Sequence, residues 1–433
     1  MSNKHMQFPK DFFWGASTAD HQIEGHQHND WTEWEKANAD RLAKRAPKLY
    51  ANRSPVWELV KDQATDPANY ITGRAADHWN LWREDFELAS QIGINAYRMS
   101  ISWSRIQPGP DRFDQEVIEQ YRQMIKDLKR RGIEPFITIW HWPLPLWLSK
   151  RGGWTYEEIS HYFIGYAALL VREFGADVKY WITLNEPNVY TENSFFIGQW
   201  PPQKRSPRQF YLSVSNLVKA HREAYHIIKS IDPDAKIGIA NNFIPYIAVR
   251  QHWINRLLKS YADWRWNYAF IKRTKEHLDF IGVNHYFRYR INFGFNQVNQ
   301  GPRSDLGWEL YPPAIYHTLR ALRRYNLPIF ITESGLADHR DIYRSWYIRE
   351  TLRHVHMAIG KGVDVRGYFH WSLMDNFEWD SGFWPRFGLI EIDYSTMKRR
   401  LRSSAKAYGD IIRAGGLPDR PDKYPEDAST KSA

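Results

Sequence analysis

No cysteine occurs among the 433 residues of the chain. That absence excludes disulfides, thiolate catalysis, cysteine-ligated zinc and iron–sulfur clusters together. No run of about 18 apolar residues is present, so neither a transmembrane helix nor a membrane partner is expected. Met1 to Lys10 lacks the apolar stretch of a secretory signal, which favours a soluble, cytoplasmic protein. Metal-binding patterns are missing as well. His354 and His356 stand two apart on a helical stretch and diverge, and no His-Glu-x-x-His occurs. Neither a metal nor a cofactor is expected. Ser334-Gly335 is no nucleophile elbow, because no glycine precedes the serine at the required spacing.

Aromatic residues, by contrast, are abundant: 21 Trp, 25 Tyr and 22 Phe make up 16% of the chain. Such a supply either builds a large core or lines a site that stacks on ring-shaped ligands. The hydrophobic fraction of 43% and charged fraction of 25% are those of a folded chain. A formal net charge of +10 would suit nucleic acid. The basic groups are scattered, however: Lys129-Arg130-Arg131, Arg320 to Arg324 and Lys398-Arg399-Arg400 fall on helix ends and faces. Solvated surface explains them, and no nucleic-acid partner is expected.

Short apolar runs recur, each followed by a helix-like stretch. They are Phe12 to Ala16, Ala96 to Ser100, Glu134 to Trp140, Tyr180 to Leu184, Ile237 to Ala240, Phe280 to Asn284, Ile329 to Thr332 and Val365 to His370. Between them, Asp77 to Ile92, Asp114 to Arg131 and the stretch from Ile159 carry apolar residues at helical spacing. Eight strand–helix units without a glycine-rich phosphate loop predict an α/β fold, a single closed (β/α)8 TIM barrel. Residues 1–414 are expected to form one catalytic barrel, and the polar stretch 415–433 a surface strap or disordered tail.

A barrel of this kind places its site at the C-terminal ends of its strands. Glu186 follows the fourth run and Glu333 the seventh, each one or two residues past an apolar strand. Strands four and seven face each other across a barrel. Two opposed carboxylates in an aromatic cleft are what glycoside hydrolysis needs, one protonated and one ionised. Arg98, at the second strand, can hold a neighbouring carboxylate ionised. His141-Trp142, Asn284-His285-Tyr286, His370-Trp371 and Asn376-Phe377-Glu378-Trp379 close other strands. Indole faces pack on the C–H face of a sugar, while Asn, Gln, His and Glu bind its hydroxyls.

These residues, in order, resemble glycoside hydrolase family 1, the retaining β-glycosidases, from about Phe8 to Ile412. The matching motifs are Phe13-Trp14-Gly15-Ala16, Gln22-Ile23-Glu24-Gly25, Ser102-Trp103-Ser104-Arg105, Asn185-Glu186-Pro187 and Gly307-Trp308-Glu309. Thr332-Glu333, His370-Trp371-Ser372-Leu373, Asp375 to Trp379 and Arg386-Phe387-Gly388 complete them. The segment His141 to Pro145 is similar to the archaeal-type branch, where most relatives have aspartate in place of Pro143.

The resemblance implies Glu186 as general acid/base and Glu333 as nucleophile, with carboxyl groups roughly 5–5.5 Å apart. It implies that Asn185 holds the sugar's 2-hydroxyl, and that Arg98 and Tyr286 position Glu333. Gln22, His141, Trp142, Trp371, Glu378, Trp379 and Phe387 would line the sugar pocket, with Asn284 beside them and Trp308 as a platform for the leaving group. Ser334 replaces a usual asparagine, and His285 a common tyrosine. The stretch from Tyr190 to Arg208 resembles a trimmed loop that would leave the leaving-group side more open. The expected substrate is a small oligosaccharide or an aryl or alkyl β-glycoside, and a homo-oligomer is compatible with the family. A transglycosylase on the same scaffold, or a carbohydrate-binding protein without catalysis, are the alternatives.

Overall fold

In the computed structural model, which describes residues 5–294, 301–418, 420 and 422–425, eight parallel strands close into a barrel. They are β1 (Phe13–Ser17), β2 (Ala96–Ser100), β3 (Glu134–Trp140), β4 (Tyr180–Asn185), β5 (Lys236–Asn242), β6 (Phe280–Asn284), β7 (Ile329–Ser334) and β8 (Val365–Trp371). Each pairs with its neighbour in sequence, and β8 closes onto β1 through Gly367 to Phe13 and Trp371 to Ser17. The expected eight-stranded barrel is therefore the observed one.

The strands run further at their C-terminal ends than apolar character alone indicates. β4 continues to Asn185 and β7 to Ser334, so Glu333 lies inside the ladder, opposite Asn284 of β6. β5 likewise extends to Asn242, which also pairs with Asn284. Polar residues end these strands because the barrel mouth satisfies them, as described below. The other end is plugged by Phe136, Ile182, Phe280, Phe330 and Phe369, with Phe13 and Tyr180 against them. Phe136 and Tyr180 stack at 4.2 Å. Gly238 makes room for this plug: a Cβ there would stand 2.4 Å from the Phe280 ring. Each such ring removed from water contributes roughly 1.5–3 kcal/mol, so much of the aromatic excess is core.

Helices ring the barrel. α1 (Asp30–Tyr50) lies over the mouth and starts at a capping box, with Asn29 Oδ1 accepting from Thr32 N and Thr32 Oγ1 from Asn29 N, both at 3.0 Å. α2 (His78–Ile92), α3 (Gln115–Arg130), α4 (Ile159–Phe174), α5 (Pro207–Ile231), α6 (Trp253–Ala262), α7 (Ala314–Leu322), α8 (Arg344–Gly360) and α9 (Ser403–Ala414) follow. α3 begins one residue later than its periodicity indicates because Asp114 is the cap, its carboxylate accepting from the N–H groups of Glu116 and Val117.

The stretch from Tyr190 to Arg208 is part helix and part loop: the end of a short helix (Pro187–Thr191), a π-helical turn (Glu192–Ile197), an irregular segment over 198–206 and the start of α5. A second π-helical turn, Asp263–Tyr268, follows α6. Beyond α9, Gly416–Pro418 pairs antiparallel with His5–Gln7, and the Tyr424 ring packs on Tyr343 and Trp346. Among the described residues, no helix is long and apolar enough to cross a membrane.

Candidate active site

Glu333 is held from two sides. Arg98 Nη1 donates to its Oε1, and the Tyr286 hydroxyl donates to Oε2 at 2.5 Å. Arg98 is wholly buried and locked by further bonds, from Nε to Thr138 Oγ1 (3.0 Å) and from Nη2 to Asn185 Oδ1 (2.6 Å). Burial pushes the Glu333 carboxyl above the usual carboxylate range, while the Arg98 charge and the Tyr286 hydroxyl oppose it. The ionised form is thus matched by a fixed cation and a fixed donor.

Glu186 stands one residue beyond β4 in a left-handed conformation, φ 41° and ψ 56°. A glutamate there is strained by roughly 1–3 kcal/mol. Its N–H donates to the Ala240 carbonyl at 2.7 Å, which pins the turn, and Pro187 starts the following helix. Its Oε1 accepts from Asn242 Nδ2 (2.9 Å) and Asn284 Nδ2 (3.0 Å), both neutral amides. Burial, and then the charge of Glu333, push the Glu186 carboxyl up to about 8. Glu378 is pushed to about 8 as well, by burial and by Glu333 among other carboxylates. Arg98 bonds Glu333 and also bears on Glu186, whereas Glu378 is bonded by the Asn376 amide. The Arg98 guanidinium and the Tyr286 hydroxyl favour the ionised form of Glu333, whereas burial favours the protonated form of Glu186 and Glu378.

The remaining walls offer unspent hydrogen-bonding groups. Asn185 Oδ1 must accept from Arg98, so its Nδ2 donates to His141 Nε2 at 2.9 Å. Burial keeps the His141 imidazole neutral, so its proton sits on Nδ1, which has no protein partner. Gln22 Nε2 donates to the Phe377 carbonyl (2.7 Å), leaving its buried Oε1 without a protein partner. Trp379 packs against Trp142, with ring centroids 4.5 Å apart, and stacks on His21 at 5.5 Å. Trp371 faces His141 at 6.0 Å. A donor, an acceptor and several indoles thus meet in one cavity of about 860 Å³ beside both glutamates. That is room for a sugar ring and a leaving group.

Gln22, His141, Trp142, Asn185, Tyr286, Trp308, Trp371, Glu378 and Trp379 all line this cavity with Glu186 and Glu333. Arg98, Asn284 and Phe387 stand behind it. Asn284 is fully buried and bonds Glu186, Asn185 and Thr332 rather than the cavity. Phe387 is a correction of the same kind: it is buried against Trp308 and Tyr286 and backs the platform. Both residues touch the cavity's lining side chains rather than the cavity itself. His285 points away, toward the Phe243 carbonyl at 3.2 Å, and burial lowers it to about 4. Among the described residues, no group of three or more His, Asp or Glu side chains gathers as a metal site.

Sequence reasoning missed Asn242, Trp200, Trp266, Arg45 and Arg53, all of which line the cavity. The Asn241-Asn242 pair at the end of β5 was a usable signal, since polar residues closing an apolar strand mark the mouth. Trp266 had none, because only the π-helical turn brings it in. Phe196, Ile197 and Trp200, from the stretch read as a trimmed loop, line the cavity on this side.

Two carboxyls in an indole-lined cavity at the C-terminal face of a (β/α)8 barrel are the equipment of a glycosidase. Residues 4–270 and 255–417 match the family model described as Glycosyl hydrolase family 1. Beta-glucosidase A of Thermotoga maritima is 32% identical over 462 residues, covering 95% of this chain and 99% of that protein. A beta-galactosidase of Sulfolobus acidocaldarius is 29% identical, covering 96% of each. The solved beta-glycosidase from Pyrococcus horikoshii superposes with a TM-score of 0.84 at 34% identity, over 96% of this chain and 97% of that one. The chain belongs to glycosyl hydrolase family 1.

Proposed function

We propose that the protein hydrolyses β-D-glucosides, and also β-D-galactosides and fucosides, with retention of configuration. The carrying observation is the asymmetry between the two glutamates: Glu333 bonds the buried cation, and Glu186 bonds only neutral amides. Glu333 attacks the anomeric carbon while Glu186 protonates the departing oxygen. The sugar is then an ester of Glu333, whose charge has gone. Glu186, no longer facing that charge, ionises more readily and takes a proton from the incoming water. Asn185, His141, Gln22 and Glu378 bind sugar hydroxyls, and Trp371 and Trp379 pack on the ring. Glu378 also disfavours a phosphorylated sugar. The beta-glucosidase and beta-galactosidase among the relatives support these sugars. Aryl, alkyl and short oligosaccharide leaving groups fit the wider side of the cavity. Residues 1–414 form the catalytic unit in this reading, 415–433 its appendage, and the protein works in the cytoplasm.

Glu186→Ala with a dinitrophenyl β-glucoside tests the roles. The first step needs no proton for that leaving group, so azide should accelerate turnover and yield a β-glycosyl azide. Glu333→Ala should hydrolyse nothing unaided, and azide entering from the vacated face should displace dinitrophenolate from the β-glucoside and yield the α-glycosyl azide. An α-azide from Glu186→Ala, or wild-type rates in Glu333→Ala, would refute the assignment.

A further inference from the structure

A carboxylic acid can carry its proton on either oxygen, and only one orientation presents it to a departing group. In Glu186 one oxygen is already occupied: Oε1 accepts from both Asn242 and Asn284. This holds only while both amides turn their nitrogens toward it, because an amide flip converts a donor into an acceptor. Asn284 is fixed by its own second contact. Its Nδ2 also donates to Asn185 Oδ1 at 3.2 Å, an oxygen committed to the Arg98 guanidinium.

Asn242 is fixed from the cavity wall. The indole Nε1 of Trp266, which can only donate, points at Asn242 Oδ1 at 3.1 Å. Asn188 staples the pair together, its Nδ2 donating to the Asn242 carbonyl at 2.9 Å and to the Trp266 carbonyl at 3.3 Å. Asn188 lies two residues after Glu186, so acid, amide and indole are tied to one short segment. Trp266 itself is half-buried and lines the cavity.

We propose that Trp266 is a positioning residue for proton delivery: its indole N–H orients the Asn242 amide, which keeps N–H donors on Glu186 Oε1 and the acidic proton on Oε2. Because the same indole lines the cavity, a leaving group that presses on it also acts on the orientation of the acid. This rests on the assignment of Glu186 as acid/base. The charged and titratable groups facing Glu186 are Glu333, Arg98, Tyr286 and Glu378, and those beside Trp266 on the π-helical turns are Asp263, Arg265 and Glu192. All remain in place when Trp266 is altered. The Asn242 amide favours the ionised form of Glu186, so its loss or reversal raises the carboxyl.

The test compares Trp266→Phe, Asn242→Ala and the double variant on β-glucosides whose leaving groups run from dinitrophenol to a simple alkyl alcohol. The quantity read is the ratio of kcat/KM for the alkyl substrate to that for the dinitrophenyl substrate, within each protein, so a general loss of binding cancels. Each single variant should lower this ratio about tenfold, the factor that one hydrogen bond of ordinary strength controls. The double variant should lower it no further, and the basic limb of the pH profile should move upward in all three. Equal losses across leaving groups, additive losses in the double variant, or an unmoved basic limb would overturn the proposal. Absence of any turnover by the wild-type protein would instead overturn the assignment on which it rests.

Discussion

Replacing Glu186 by glutamine removes the proton donor while keeping the shape of the side chain, and the structure sets what this does to stability. The carboxyl is pushed from 4.5 to about 8 in the folded protein. Between those values the folded state holds a proton that the unfolded chain has released. The folded state therefore binds more protons, and its stability falls as pH rises through that window. The gap is about 3.5 on the pH scale, at about 1.4 kcal/mol for each unit, or about 5 kcal/mol in full. Water in the cavity and the two flanking amides relieve part of it, leaving about 2–4 kcal/mol.

Glutamine carries no such penalty, so Glu186→Gln should gain on the wild type as pH rises. For 433 residues the unfolding entropy is about 0.9 kcal/mol per kelvin, so the advantage is a Tm difference that widens by about 2–4 °C between about pH 5 and about pH 8. Scanning calorimetry of both proteins at the two pH values measures it. A difference that stays constant or narrows would refute the reasoning, because it would mean that Glu186 is ionised in the folded protein at neutral pH.

Two further outcomes follow from the charge balance of the site. Glu378→Gln should lower kcat/KM yet keep a basic limb at or below about 8, because Glu186 remains and loses a like-charged neighbour. Disappearance of that limb from the pH–rate profile would make Glu378 the titrating group. Arg98→Met should shift the acid limb upward and reduce kcat by about 10²–10³-fold, since Glu333 loses the buried cation that bonds it. Leaving that carboxylate unpaired should also cost about 3–5 kcal/mol, seen as a lower melting temperature, and an acid limb that did not move would contradict the role given to Arg98.

The barrel was legible because every strand is a compact apolar run between helical periods, and such runs have few other places to go. The two glutamates were legible because each follows such a run at the end where a barrel keeps its chemistry. What escaped was polar continuation. Asn185 and Asn242 extend their strands although nothing in their own propensity asks for it, because the mouth supplies their hydrogen bonds, and Ser334 continues β7 through ladder pairing with His370. Phe387 and Asn284 show a second limit. Motif matching places a residue near the site but does not say whether it faces the cavity or supports one that does. Trp266 shows a third, since its position depends on the extra residue of a π-helical turn and on a fold assembled from distant strands.

The closure of β8 onto β1 sets a timetable for the protein's birth. Phe13 pairs with Gly367, the Tyr408 hydroxyl donates to the Gly15 carbonyl at 3.0 Å, and His5–Gln7 pairs with Gly416–Pro418. At about 5–20 residues per second, a ribosome needs roughly 20–70 s to produce the stretch between the two barrel edges. Throughout that time β1 waits with one edge unpaired, and Glu186 waits for the strand that carries Glu333. The nascent chain is therefore inactive and exposes a strand edge until nearly its whole length has emerged. Truncation even shortly before β8 removes both the last stave and the closure, so a chain stopped there is a client for chaperones and proteases rather than a slower enzyme.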